Sequence, residues 1–282
     1  MLTTTARLTS VEIADLAVAA IRAEADLTPK PGLVDQRGSG AHSDLDLPML
    51  HASAVSLHVA LTECASAAGR LALGPELRAR LGEIGRAGER TMLETTGGVN
   101  THRGALWALG LLSAGAAIGG ALDSAVGIAA QLAGIPDSHA IATPSNGARA
   151  RLRYGVGGAA GEARAGFPHV RNNALPALRA ARQCGADEGS ARLAALLALM
   201  ATLDDTCVLH RGGPEGLRAL QSGAQAVLDA GGIGTPQGRR RFGALDDLCM
   251  TRRLSPGGSG DLLSAAIFLD LLDGCGGQPC KP

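Results

Sequence analysis

The sequence predicts an all-α fold on three observations. Ala, Leu and Gly dominate, while aromatic residues number only five in 282, Trp107, Tyr154, Phe167, Phe242 and Phe268. A core of that make-up favours closely packed helices over sheets. No segment shows sustained period-two alternation of Val, Ile and Thr. Helix-start signals also punctuate the chain. Thr9 with Glu12 forms a capping box opening a helix over 10–26, and Asp46 with Pro48 fits the cap and first turn of another over 47–68. The same signals predict helices near 75–95, 101–119, 121–133, 145–154, 173–183, 188–203, 214–230, 236–253 and 260–272. No linker or fixed-period repeat divides the chain, so it reads as a single globular domain over 1–282, with residues 1–8 and 274–282 expected to be flexible.

Charge and composition exclude several classes. Acidic and basic residues balance at 26 each, so no positive field exists to hold a nucleic acid. The N-terminus lacks a basic stretch followed by an apolar one. The apolar run 193–203 is too short to span a bilayer, and the run 105–121, interrupted by Gly and Ser, reads as a buried helix. Six cysteines without a CxxC pair read as reduced thiols. The expectation is a cytoplasmic protein without membrane contact, with a homodimer as the assembly to consider.

Chemistry concentrates in the non-helical stretches. Several are Gly-rich, carry charge and open onto a predicted helix. A helix start offers unpaired N–H groups and partial positive charge, and glycine lets a ligand approach that backbone. In GGVNTHRGALW (97–107), Asn100 can cap a buried helix whose first turn holds His102 and Arg103, cations that an anionic ligand would accommodate. In YGVGGAAGEARAGFP (154–168) no strand precedes the glycines, which argues against a dinucleotide fingerprint, and Glu162 and Arg164 stand out among Gly and Ala. In DDTCVLHRGGPEG (204–216), Asp204 and Asp205 follow an apolar helix, where a carboxylate opposes the dipole unless a cation such as Mg²⁺ or the nearby His210 and Arg211 relieves it. LSPGGSGDLL (254–263) suits plain capping, with Asp261 in the first turn.

The fifth stretch, TPKPGLVDQRGSGAHSDLD (28–46), holds Lys30, one of two lysines in a chain with 24 arginines. Pro29 and Pro31 deny it a helix and present the ammonium from a stiff loop, with Asp35, Asp44 and Asp46 following. A compact ammonium suits a phosphate cluster.

These strings, in this order, resemble the triphosphoribosyl-dephospho-coenzyme-A synthase family, and most closely its members that serve malonate decarboxylase rather than citrate lyase. The matching strings are TPKPGLVD, GSGAHSDLD, GGVNTHRGA, RYGVGG, GEARAGFP, ALPALR, DTCVLHRGG and LSPGGSGDLL. Ala160, Cys207 and Gly260 depart from the pattern, where Arg, Asn and Ala are usual.

The resemblance implies a transferase that joins ATP to 3′-dephospho-coenzyme A with release of adenine, Mg²⁺ accompanying the ATP. The product would pass to an acyl-carrier-protein transferase as prosthetic-group precursor. Inversion from the β linkage of ATP to an α linkage implies a single in-line displacement, through an oxocarbenium-like state by analogy with glycoside hydrolysis. On this reading the Gly-rich helix starts form a nucleotide-phosphate cleft. Lys30, Asn100, His102, Arg103, Arg164, His210 and Arg211 would bind the nucleotide, helped by the N–H groups of Gly97, Gly98, Gly212 and Gly213. Asp204 and Asp205 would hold Mg²⁺, and Glu162 would be the general base, with Asp44 as its rival and Asp35 as a further acid. Two other readings use the same features, an all-α Mg²⁺-dependent ADP-ribose-type glycohydrolase and a non-enzymatic nucleotide-binding regulator.

Overall fold

The computed structural model describes residues 7–139 and 146–277. Among them there is no β-strand, only an isolated bridge between Asp35 and Gly38. The helices are α1 (Ser10–Asp26), α2 (Leu47–Ser56), α3 (His58–Arg70), α4 (Pro75–Thr95), α5 (Arg103–Gly119), α6 (Leu122–Gly134), α7 (Asn146–Tyr154), α8 (Gly158–Arg164), α9 (Leu175–Gln183), α10 (Glu188–Thr202), α11 (Thr206–Asp229), α12 (Pro236–Thr251) and α13 (Gly257–Gly277). A π-helical turn, Val170–Ala174, leads into α9, and a 3₁₀ turn, Gly232–Gly234, precedes α12. The flexibility expected of the chain ends falls mostly outside the described residues, although 274–277 continue α13.

The predicted starts at Thr9 and Asp46 are present. The Thr9 hydroxyl accepts from the Glu12 N–H while the Glu12 carboxylate accepts from the Thr9 N–H, and Asp46 Oδ1 accepts from Met49 N. The helix expected over 47–68 is broken at Leu57, whose N–H bonds to the Ala54 carbonyl while Ser56 Oγ donates to the Ser53 carbonyl. Such back-bonding bends helices. Two helical pieces went unpredicted. Gly- and Ala-rich α8 lacks a periodic apolar stripe, and α11 begins at Thr206, eight residues before the predicted 214.

Helix α5 lies at the centre, every residue from Ala108 to Ala116 being buried, and packs against α1, α3, α4, α6 and α13. Small residues let these helices approach. A Cβ on Gly115 would stand 2.1 Å from the Ala125 carbonyl oxygen of α6. A second group, α9 to α12, joins the first through contacts of α10 and α11 with α13. One apolar core runs through both, from Ile13 to Leu272. Among the described residues no single helix is long and apolar enough to cross a membrane. The consequence for function is that α5, α11 and α13 all begin in the region where the two groups meet.

Candidate active site

Lys30 occupies the floor of this region. It is 1% exposed, and Nζ donates to the Glu24 carbonyl (2.7 Å), to Glu24 Oε1 (2.9 Å) and to the Ala25 carbonyl (3.3 Å). All three ammonium hydrogens are therefore spent on the last turn of α1, whose carbonyl end favours a cation. The expectation that Lys30 grips a phosphate is corrected: it closes α1 and neutralises Glu24, itself 6% exposed. Asp35 is likewise structural rather than catalytic. Only 3% exposed, it accepts from the backbone of Lys30 and Arg37 and from the Arg37 guanidinium. Its carboxyl sits below the usual range, burial being outweighed by these donors together.

Asp205 staples two helix starts. It is 1% exposed. Oδ1 accepts from Cys207 N (2.9 Å), Val208 N (3.4 Å) and Gly258 N (3.3 Å), and Oδ2 from Ser259 N (2.8 Å) and Ser259 Oγ (3.0 Å). Burial still pushes its carboxyl up, against the pull of those donors. Asp205 thus caps α11 and α13 together, with no lone pair left for a metal ion. The predicted Asp204–Asp205 pair does not fit Mg²⁺, and no group of three metal-ligating side chains gathers among the described residues. Asp204 remains exposed.

Asp261, in the second turn of α13, reaches across to the start of α5. It accepts from Ala105 N, and its Oδ2 would stand 1.9 Å from a Cβ on Gly104. Burial, and then the nearby charges of Glu24 and Asp205, hold its carboxyl well above the usual range, although an edge of the residue stays open to solvent.

On the other side of the α5 start, His102 is 4% exposed. Nδ1 lies 2.8 Å from Ser53 Oγ, which is 2.6 Å from Thr101 Oγ1, while Nε2 has no partner among the described residues. Burial pushes its pKa down to about 4, outweighing the opposing effect of Glu24. A neutral, enclosed imidazole is a poor phosphate cation, which corrects that assignment. Arg103 pairs with Glu89 of α4, and α5 starts at Arg103 with His102 rather than the expected Asn100 at the cap position, although Asn100 Oδ1 accepts from Arg103 N (3.2 Å). Gly97 and Gly98, at φ 63° and 91°, end α4 rather than expose amides at α5, and the Gly98 N–H closes on the Leu93 carbonyl (2.7 Å).

The 28–46 loop folds over the starts of α11 and α13. His42 Nε2 lies 2.8 Å from Ser255 Oγ, and Arg211 donates to His42 Nδ1 (3.1 Å) and to the Ala41 carbonyl (3.2 Å). Burial and the Arg211 charge lower the His42 pKa and keep the ring neutral, and Asp44, largely exposed, stands 3.5 Å from Nδ1. Gly213, at φ 60° and ψ −167°, breaks α11 ahead of Pro214, and a Cβ on Gly212 would meet Leu254 Cδ2 at 2.4 Å. These glycines serve a kink and a close contact. His210 is exposed.

The α7–α8 corner abuts the α11 start, since Thr206 Cγ2 lies 3.3 Å from a Cβ built on Gly158. Glu162 is buried, but both oxygens are taken by one residue: Oε1 by the His169 backbone N–H (2.8 Å) and Oε2 by His169 Nδ1 (2.8 Å). The lone acid of the sequence reading is half of a pair. Glu162 raises the His169 pKa, with help from the Thr202 carbonyl and Asp204. Arg164 is exposed on the last turn of α8.

The motifs therefore converge, though not the side chains chosen within them. Glu24, Ser53 and His169 were missed. Glu24 was findable, because it lies on the face of α1 that buries Ile13, Ala17, Ala20 and Ile21. Ser53 and His169 carry no local signal.

The family model for ATP:dephospho-CoA triphosphoribosyl transferase matches residues 10–279. A protein of Stutzerimonas stutzeri named as a probable 2-(5''-triphosphoribosyl)-3'-dephosphocoenzyme-A synthase is 54% identical over 95% of this chain and 93% of its own length. Relatives with the same printed name from Pseudomonas fluorescens and Azotobacter vinelandii are 55% and 54% identical, over 93% and 94% of this chain and 91% and 93% of theirs. No solved structure matches the chain. With the family model spanning nearly the whole sequence and relatives of this identity along its length, the chain belongs to the ATP:dephospho-CoA triphosphoribosyl transferase family and is an enzyme of that transferase kind.

Proposed function

We propose that the protein joins ATP to 3′-dephospho-coenzyme A in one displacement at C1 of the ATP ribose, releasing adenine. The observation that carries this reading is the meeting of the α5, α11 and α13 starts at one polar locus, where the N–H groups of three remote segments hold the acids Asp205 and Asp261 side by side. Such a locus suits a reaction that needs two substrates aligned and protons managed between them.

The triphosphate would lie toward the solvent edge, where Arg211, His210 and Arg164 keep exposed charge or donors and Asp204 is exposed. Mg²⁺ enters as part of the MgATP substrate, its phosphates supplying most ligands. The 2′-hydroxyl of dephospho-coenzyme A would lose its proton to the Glu162–His169 pair, in which the carboxylate orients the imidazole, with Asp44 as the alternative acceptor. The resemblance of the motif strings to the malonate decarboxylase branch supports that enzyme's carrier subunit as the destination of the product. The thiols Cys64, Cys184, Cys207 and Cys249, none of them in a disulfide, support work in the cytoplasm.

The test is incubation with ATP, Mg²⁺ and 3′-dephospho-coenzyme A. Adenine release that depends on dephospho-coenzyme A, with a new conjugate of both substrates, is the expected result. Release into water without the acceptor would favour a glycohydrolase, and ATP binding without release a regulator.

A further inference from the structure

We propose that Asp261 is the catalytic residue that protonates adenine as it leaves C1 of the ribose. The proposal rests on the transferase reading above and adds the acid that the reading lacks.

Three acids share this locus, and their surroundings separate them. Asp205 has five donors on its two oxygens and no remaining capacity. Glu24 is closed over by Lys30. Asp261 alone has one backbone donor, Ala105 N, and an edge that remains open. It is not needed as the cap of its own helix, because Asp205 performs that task for α13. The neighbouring glycines clear its approach. Gly104 leaves room for its carboxyl, and Gly257 and Gly258 beside it are partly open.

An independent observation points to a ligand here. His102, 4% exposed at the same α5 start, fixes Nδ1 on Ser53 and leaves a buried Nε2 without a partner among the described residues. A buried ring nitrogen without a partner is costly. A heterocyclic base with N–H donors bound at the α5 start would satisfy it, two residues from the Gly104 against which Asp261 packs. The charges of Glu24 and Asp205 favour the protonated carboxyl that a donor requires.

The step balances. The bond from C1 to the adenine nitrogen breaks with its electron pair passing to the base, and the Asp261 carboxyl proton moves to an adenine ring nitrogen. The 2′-oxygen of dephospho-coenzyme A bonds to C1 as its proton passes to the Glu162–His169 pair. Solvent returns that proton to Asp261 between turnovers.

The experiment compares wild type with Asp261→Asn on ATP and on the 5′-triphosphate of nicotinamide riboside, whose base departs as a neutral pyridine and needs no proton. On ATP, kcat should fall about 10²–10⁴-fold, with the Kd for ATP unchanged in calorimetry. On the pyridine substrate the variant should match wild type to within about tenfold, because the lost interaction serves only the proton transfer. A variant that keeps its kcat on ATP overturns the proposal. So does one that is no better on the pyridine substrate than on ATP relative to wild type, or one that no longer binds ATP, because each describes a structural cap. If wild type itself releases no adenine in the presence of dephospho-coenzyme A, the reaction assigned above fails instead.

Discussion

Lys30 shows how a correct suspicion about a residue can point to the wrong partner. Its rarity marks a position where Arg does not serve, and the structure supplies the reason. Two carbonyls and a carboxylate converge on one point at the end of α1, which a compact ammonium satisfies and a planar guanidinium does not. Phosphate was the natural guess because the acid that claims Lys30 lies six residues earlier, inside a helix. Lys30→Met should cost about 3–5 kcal/mol in urea unfolding, since it leaves Glu24 buried without a counter-charge, and should leave the affinity of the folded protein for ATP unchanged. His102 gives a second prediction. Its folded pKa of about 4 lies below the unfolded value of 6.5, so the neutral ring contributes stability that is complete above pH 6.5 and is lost as pH falls through 4. The loss is on the order of 3 kcal/mol. His102→Asn should flatten that part of the stability–pH curve, and an unchanged slope would contradict the burial argument.

At the scale of elements, most helices were legible because their caps and apolar stripes are local. The capping box at Thr9 and the cap at Asp46 needed only neighbouring residues. The start of α11 was misread because Asp204 and Asp205 were taken as the tail of α10. The structure makes Asp205 the head of α11 and also the cap of α13, some fifty residues later, a relation that no local pattern encodes. Asp205→Ala removes caps from two helices and should cost about 1–4 kcal/mol, whereas Asp204→Asn should alter stability by no more than about 0.5 kcal/mol. Equal thermal shifts in the two variants would contradict the staple. Glycine was read as a provider of phosphate-binding amides, yet at Gly98 it terminates a helix, at Gly213 it kinks one, and at Gly104 it makes room for Asp261. The residue type was informative, and its use depended on contacts visible only in three dimensions.

For the molecule as a whole, the all-α architecture followed from composition, because a chain so poor in β-branched and aromatic residues has few ways to fold other than as helices packed at short range. The candidate locus was legible in part, since most of the strings that carry the family resemblance lie around the α5, α11 and α13 starts, although ALPALR opens α9 and its Arg179 pairs with Asp270 and Asp273 far along α13. The roles of single side chains were not. Each depends on which of several charged groups at that locus is buried and which is open, and tertiary packing decides that. The central claim is this shared locus. Amide hydrogen exchange with and without MgATP and 3′-dephospho-coenzyme A tests it directly. Peptides covering 101–107, 204–212 and 255–262 should gain protection together on addition of the substrates. Protection confined to one of them, or falling instead on the remote α12 face around Gln237–Ala244, would contradict the account.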